Sequence, residues 1–394
     1  MPRKIIHLDL DAFFCAVEAL RDPTLHGKAF AVGGRPEHRG VIASCSYPAR
    51  KYGVRSAMPT AQALLRCPHL ILISDHRGDY SAYSHRVMAH LENLTRAIEQ
   101  ISIDEAFIDV SDLKAPARAI AVELQQSIWQ DLKLPCSLGV ATNKLVAKIA
   151  NNVGKASAKT DGPPMAIEVV PPGEEQHYLA PLPVTELWGV GPKTAESLEK
   201  LGIKTIGDLA GWPEADLIQR FGKHGEDLAR RARGIDSRPV MSDHEVKSIS
   251  HETTFSEDVT DETVLRRTLC LLSENVGRRL RRAELAATTI KVKLRWSDFK
   301  TLTRQTTLEE PTDQDSVIYV TAQQLLKENW PRGRPVRLIG VGASNLTEPM
   351  AQLRLWDASV EKGAQLQKTL DRLRDRFGRG AIRRAITLRS DDEG

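Results

Sequence analysis

The sequence predicts a multidomain α+β protein. Three observations predict it. Residues up to about 165 read as strand–helix–strand–strand–helix–strand, with a long Gly/Pro-punctuated stretch inserted after the first short helix. Residues 184–236 read as a small helical domain, and residues 250–347 return to extended stretches around one long helix. A chain of 394 residues is also too long for one ordinary domain.

Each element follows from local pattern. Residues 4–11, KIIHLDLD, alternate as a strand does, and residues 13–20, FFCAVEAL, switch to helical spacing. Residues 21–74 hold the strand-like AFAVGG and then VIASCSYPARKYG. Tyr80, Met88, Leu91, Leu94 and Ile98 space out a helix over 80–99. ISIDEAFIDV (101–110) gives two short strands around a polar corner. A helix over 117–132, the strand CSLGVA (136–141) and the helix NKLVAKIANNVG complete a ferredoxin-like layer. Residues 159–183, rich in Pro and Gly, link to the helical domain, and RPVMSDHEVKSISHE links onward. In the last module a helix over 263–284 lies between TTIKVKLRW and RPVRLIGVGASNL. Beyond 350, Leu366, Leu370, Leu373 and Phe377 recur at helical spacing.

Composition excludes several classes. The hydrophobic fraction is 41% and the charged fraction 27%, ordinary for a globular protein. No apolar run reaches membrane-spanning length, and His7, Asp9 and Asp11 interrupt the first apolar stretch as no signal peptide would, so a cytoplasmic chain is expected. Cys15, Cys45, Cys67, Cys136 and Cys270 have neither metal-ligand nor disulfide spacing. Net charge is only +4, but it is segregated. Residues 21–74 carry eight Lys/Arg against Asp22 and Glu37, and residues 278–304 carry nine against Glu284 and Asp298. Two such stretches suit a polyanion gripped from two sides.

The carboxylates point to phosphoryl-transfer chemistry. Such chemistry needs positioning and charge neutralisation, which Mg²⁺ ions held by a few Asp or Glu residues on neighbouring strand ends can supply. Asp9 and Asp11 share one face of the first strand, and Asp104-Glu105 sit at the corner of ISIDEAFIDV. On a regular strand Asp104 and Glu105 would diverge, so they converge only if that corner bends.

HLDLDAFFCAVE, SCSYPARKYGVRSAMP, SIDEAFIDVS and GVATNKLVAKIAN resemble successive motifs of the Y-family DNA polymerases, in its DNA polymerase IV (DinB) branch, from about residue 3 to 356. The resemblance implies a right-hand polymerase. Its parts would be a palm (1–20 and 75–165), fingers (21–74), a thumb (166–236), a linker (237–249), a little finger (250–347) and a tail (348–394). It implies low-fidelity, lesion-bypassing synthesis on primer–template DNA from dNTPs, by a monomer without proofreading. It implies two Mg²⁺ ions on Asp9, Asp104 and Glu105, with the Leu10 carbonyl as a further ligand, and it removes Asp11 from the ligand set. Phe14 matches the steric gate against a 2′-hydroxyl, with Phe13 beside it. Tyr47 and Arg50 match contacts to the incoming triphosphate, Ser44 lies near them, and Lys155 is similar to a third, with Lys159 as its rival.

LWGVGPKTAESLEKLGI (187–203) has a helix–hairpin–helix pattern, in which the Gly189-Val190-Gly191 turn offers amides to a DNA phosphate and Lys193 adds charge. In 243–347 basic and acidic residues nearly balance, so DNA binding there must rest on segregation. Lys291, Lys293 and Arg295 alternate on one strand and share a face. Gln352-Leu353-Arg354-Leu355-Trp356 resembles the peptide by which bacterial polymerases dock on the sliding clamp, through Gln352, Leu353, Leu355 and Trp356. A non-catalytic DNA scaffold and a nucleotidyl cyclase are the alternatives. Retention of the carboxylates opposes the first, and the helix–hairpin–helix, which has no role in a cyclase, opposes the second.

Overall fold

A computed structural model describes residues 2–242, 245–349, 358–378, 380–382 and 384–387. The chain forms two compact units, Met1–Pro36 with Gly40–His244, and Glu37–Arg39 with Glu245–Gly394.

The first unit runs β1 (Ile5–Leu10), α1 (Phe13–Arg21), β2 (Phe30–Gly33), β3 (Ile42–Cys45), α2 (Tyr47–Lys51), α3 (Thr60–Arg66), β4 (Ile71–Ile73) and α4 (Arg77–Glu92). It continues with β5 (Ile98–Gln100), β6 (Glu105–Asp109), α5 (Ala117–Leu132), β7 (Cys136–Ala141), α6 (Lys144–Ser157) and β8 (Ile167–Val169). The helices α7 (Glu175–Leu179), α8 (Pro192–Glu199), α9 (Ile206–Gly211), α10 (Glu214–Phe221) and α11 (Lys223–Ala232) complete it.

Its main sheet has the order β5-β6-β1-β7-β8, the ferredoxin-like arrangement with β8 added at one edge. Strand β1 is central and covered on both faces, so it is buried almost throughout. Ile6, Leu8 and Leu10 pack with α1, α4 and α5, whereas Ile5 and Phe107 pack with α6 and the helices beyond it. Strand alternation therefore places His7 and Asp9 on the α6 side, beside Glu105 of β6.

Two details differ from the sequence reading. The helix expected over 80–99 ends at Glu92, and the strand preceding the corner is Ile98–Gln100, not part of 101–110. Thr95 causes the break: its hydroxyl donates to the Asp109 carbonyl and accepts from the Ala97 amide, committing the chain to the sheet. The chain between Arg21 and Arg77 builds its own sheet, β3-β2-β4, over a small core that includes Ala31, Ile42, Val54 and Ala63.

The chain leaving α11 is tied back to the main sheet. Asn143 donates to the Gly234 carbonyl, Leu145 N–H to Asp236, Arg3 to the Asp236 carbonyl, and Ser242 to the Arg96 carbonyl.

The second unit contains β9 (Ser248–Val259), α12 (Glu262–Arg282), β10 (Ala286–Trp296), β11 (Thr301–Thr312), α13 (Asp315–Asn329), β12 (Val336–Thr347) and α14 (Ala358–Phe377). The sheet order is β11-β10-β12-β9, with α12 and α13 over one face. Helix α14 contacts this unit through charge. Arg278 and Arg282 meet Asp375, Arg281 meets Asp371 at 2.6 Å, and Gln367 meets Asp315 at 2.7 Å. Leu366 and Phe377, by contrast, are 61% exposed, so the helical spacing was legible but the docked face is the polar one. Three arginines counted in the basic stretch 278–304 are thereby neutralised within the unit. Among the described residues no helix is long and apolar enough to cross a membrane.

Candidate active site

The site forms where β1 and β6 end beneath α6. Asp9 is the Cα partner of Glu105, and the Leu10 amide donates to the Asp104 carbonyl at 2.9 Å, so the backbone of the corner lies alongside the end of β1. Asp104 itself accepts from the Ser102 hydroxyl. Gly139 of β7 brings α6 this close: a Cβ there would stand 1.9 Å from the Ala147 carbonyl oxygen and 2.4 Å from the Asn151 nitrogen.

Helix α6 then delivers its polar face. Lys148 Nζ lies 2.6 Å from Glu105, and Lys155 Nζ lies 2.6 Å from Asp9 and 3.1 Å from Asp11. His7 is fully buried, with Nε2 3.4 Å from Glu105 and Nδ1 accepting from Asn151 at 2.9 Å. These contacts divide the carboxylates. The His7 imidazole 3.4 Å away and Lys148 hold Glu105 down at about 2. Burial raises Asp9 above its ordinary value, with Lys155 opposing. Burial likewise lowers His7, whereas for Lys155 burial is outweighed by Asp9 and Asp11 and its value rises.

Asp11 is buried and accepts from Ser137 Oγ on both oxygens and from the Met165 amide. Those bonds make it part of the framework between β1, β7 and the chain after α6. Of the rival lysines, Lys155 reaches the carboxylates, while Lys159 is exposed.

Phe14 is half-buried and stacks on Tyr80, with ring centroids 4.4 Å apart. Phe13 is 2% exposed, so its ring belongs to the core. Ser44 is largely buried on β3. Tyr47 opens α2, with the Arg50 guanidinium 4.5 Å from its ring centroid; burial, then the Asp11 charge, pushes its phenol upward.

Sequence reasoning missed Lys148, His7 and Asn151. A signal existed: Lys144, Lys148, Asn151 and Lys155 fall at i, i+4, i+7 and i+11, one face of a single helix.

The other predicted residues lie apart from the carboxylates. Gly189 adopts φ +103°, a turn in which Arg231 donates to the Trp188 carbonyl at 3.0 Å. Gly191 caps α8 without a side-chain acceptor, and Lys193 is exposed on its first turn. In the second unit Lys291, Lys293 and Arg295 stand on the sheet face opposite α12 and α13. Lys291 lies over Gly342, Lys293 meets Glu252 at 2.8 Å, and Arg295 donates to Thr301. Gln352, Leu353, Leu355 and Trp356 lie outside the described residues.

Residues 8–152 match the impB/mucB/samB family, residues 246–355 match its C-terminal domain, and residues 172–203 match the IMS family HHH motif. DNA polymerase IV of Listeria monocytogenes serotype 4b (strain F2365) is 42% identical over 347 residues, covering 87% of this chain and 95% of the relative. This chain belongs to the DNA polymerase IV branch of the Y-family DNA polymerases. DNA polymerase IV of Desulfatibacillum aliphaticivorans is 39% identical over 98% of the chain and 96% of that relative. Among solved structures, the Y-family DNA polymerase chimera Dbh-Dpo4(243-245)-Dbh superposes with a TM-score of 0.77 at 27% identity, over 88% of this chain and all of that one. As a DNA polymerase IV relative, the chain is a DNA-directed DNA polymerase of the translesion class.

Y-family polymerases depend on divalent metal. Among the described residues no three Asp, Glu, His or Cys side chains converge as a ligand cluster, because each carboxylate is turned to a local donor: Asp9 to Lys155, Glu105 to Lys148 and Asp104 to Ser102. The donor set still fits a hard cation. All three are carboxylates on adjoining strand ends, and the lysine ammonium groups already mark where positive charge is stabilised.

Proposed function

We propose that Asp9, Asp104 and Glu105, with the Leu10 carbonyl, hold two Mg²⁺ ions for template-directed nucleotidyl transfer. The single observation carrying this reading is the pairing of Asp9 with Glu105 beneath two lysines. When bound, the ions neutralise phosphate charge and stabilise the attacking and leaving oxygens. The chain's own groups position the substrate. Tyr47 and Arg50 offer a hydroxyl and a guanidinium fork to the incoming dNTP triphosphate, Lys155 adds a point charge, and Ser44 and the Phe13 backbone stand beside them. Lys148 and His7 hold Glu105 ionised and oriented. Primer–template DNA is gripped by the Gly189–Gly191 turn with Lys193, and by the face of Lys291, Lys293 and Arg295, for a phosphate backbone needs amides and cations without base readout. The parts so assigned are palm, fingers, thumb and little finger, at the boundaries read from the sequence, and the enzyme acts as a cytoplasmic monomer.

Phe14 serves as the steric gate under the incoming sugar. Phe14→Ala should raise rNTP use relative to dNTP use at least about tenfold, or ~1.4 kcal/mol of discrimination, read as the ratio of kcat/KM values. An unchanged ratio would return Phe14 to core packing.

Residues 352–356 supply the clamp contact. Tethering to a ring on DNA gives roughly millimolar local enzyme without touching the active site. Changing Gln352, Leu353, Leu355 and Trp356 to Ala together should abolish stimulation by loaded clamp, measured against extension of a short template by the same variant. Equal stimulation would refute the tether.

A further inference from the structure

Glu18 is a buried carboxylate that none of the chemistry above uses. It lies in α1, one helical turn beyond Phe14, and gathers three donors. Tyr80 O–H donates to Glu18 Oε1 at 2.6 Å, His76 Nδ1 lies 2.9 Å from the same oxygen, and Arg21 reaches Oε2 at 3.2 Å. Arg21 also meets Asp79 at 3.1 Å. His76 and Tyr80 bracket the first turn of α4, and Arg21 ends α1. Glu18 thus joins the two strands of chain through which residues 22–76 leave the main sheet and return to it.

Tyr80 is the other half of the arrangement. It is 1% exposed, and its ring lies under Phe14 with an interplanar angle of 18°. Phe13 closes it from the edge at 6.4 Å between centroids. Burial and the Glu18 carboxylate both push the Tyr80 phenol upward, so it remains a donor throughout the ordinary pH range.

We propose that Glu18 is a positioning residue for sugar selection: it pins the Tyr80 hydroxyl, and the pinned ring is the floor that fixes how low Phe14 can sit. The inference rests on the reading of Phe14 as the gate. A gate that excludes one hydroxyl works at van der Waals range, where a gap of a fraction of an ångström forfeits much of a contact. If Tyr80 lost its anchor, its ring could tilt within the core and Phe14 would settle toward it, opening space beneath the sugar. Without Glu18, Phe14 remains in place but is no longer held at a defined height.

The test is a double-mutant cycle on the full chain. The ratio of kcat/KM for an rNTP to that for the matching dNTP is measured for wild type, Tyr80→Phe, Glu18→Gln, Phe14→Ala and the Phe14→Ala/Tyr80→Phe pair. A merely structural role lowers both substrates alike and leaves the ratio fixed, whereas positioning moves the ratio. Tyr80→Phe and Glu18→Gln should each raise it about three- to tenfold, and Tyr80→Phe should add nothing once Phe14 is Ala. Should Glu18→Gln fail to fold, Tyr80→Phe still carries the test, since it leaves Glu18 with His76 and Arg21. A ratio unchanged in Tyr80→Phe while Phe14→Ala raises it overturns the inference and spares the gate. Equal increases with and without Phe14 overturn it too, because Tyr80 would then act independently. A ratio unmoved by Phe14→Ala alone overturns the gate and this inference together.

Discussion

Glu105→Gln is expected to cut primer extension by about a thousandfold, ~4 kcal/mol of transition-state stabilisation, while primer–template affinity holds within roughly twofold. His7 and Lys148 hold the Glu105 carboxyl well below the usual carboxylate range. The amide removes its charge and leaves the Lys148 ammonium without its partner at 2.6 Å. Both changes weaken the site for a divalent cation. DNA affinity survives because the surfaces assigned to it, the Gly189–Gly191 turn and the Lys291 face, are elsewhere in the chain. The complementary variant, Lys291, Lys293 and Arg295 all to Ala, should weaken DNA binding and flatten its dependence on log salt concentration by up to about 2.7, near 0.9 for each lost phosphate contact. Steady-state extension and a salt titration of DNA binding check both halves. Normal turnover by Glu105→Gln at saturating Mg²⁺ would remove Glu105 from the site.

Gly139→Ala should damage the enzyme without touching a charged group. The added Cβ would overlap the Ala147 carbonyl and the Asn151 backbone, both of which belong to the interior of α6. A helix backbone cannot yield locally, so α6 must move away from β7 as a body. Overpacking of this kind costs roughly 1–3 kcal/mol, and more where backbone meets backbone. Lys148, Asn151 and Lys155 move with the helix, so Glu105 and Asp9 lose their partners together. The thermal midpoint should fall by several degrees and extension should fall with it. A fully active, fully stable Gly139→Ala would show that α6 is not seated as described.

Much of the site was legible because its chemistry is concentrated in short segments. HLDLDAFF carries Asp9 at the end of one strand and SIDEAF carries Asp104 and Glu105 at one corner, so the strand pattern nominated these carboxylates, whereas Phe14 was named only by the family resemblance. The same spacing nominated Asp11, and only its partners show why it belongs to the framework: Ser137 and the Met165 amide are both more than a hundred residues away. Periodicity likewise put helical spacing in the tail, at Leu366, Leu370, Leu373 and Phe377, where α14 forms. It could not reveal that Gln367, Asp371 and Asp375 would face α12 and α13, because Asp315 of α13 and the arginines of α12 determine that choice.

The sequence by itself determined which residues carry charge, where strands and helices alternate, and where the chain turns, for each of these is set within a few residues by side-chain type and backbone preference. The tertiary structure decided which of them meet. Lys148 finds Glu105 from 43 residues away, His7 finds Asn151 across 144, and Glu18 finds Tyr80 across 62. No local pattern encodes those distances. They arise because a central strand covered on both faces must accept α1 on one side and α6 on the other, and close packing then leaves each buried polar group only the partner that lies opposite it.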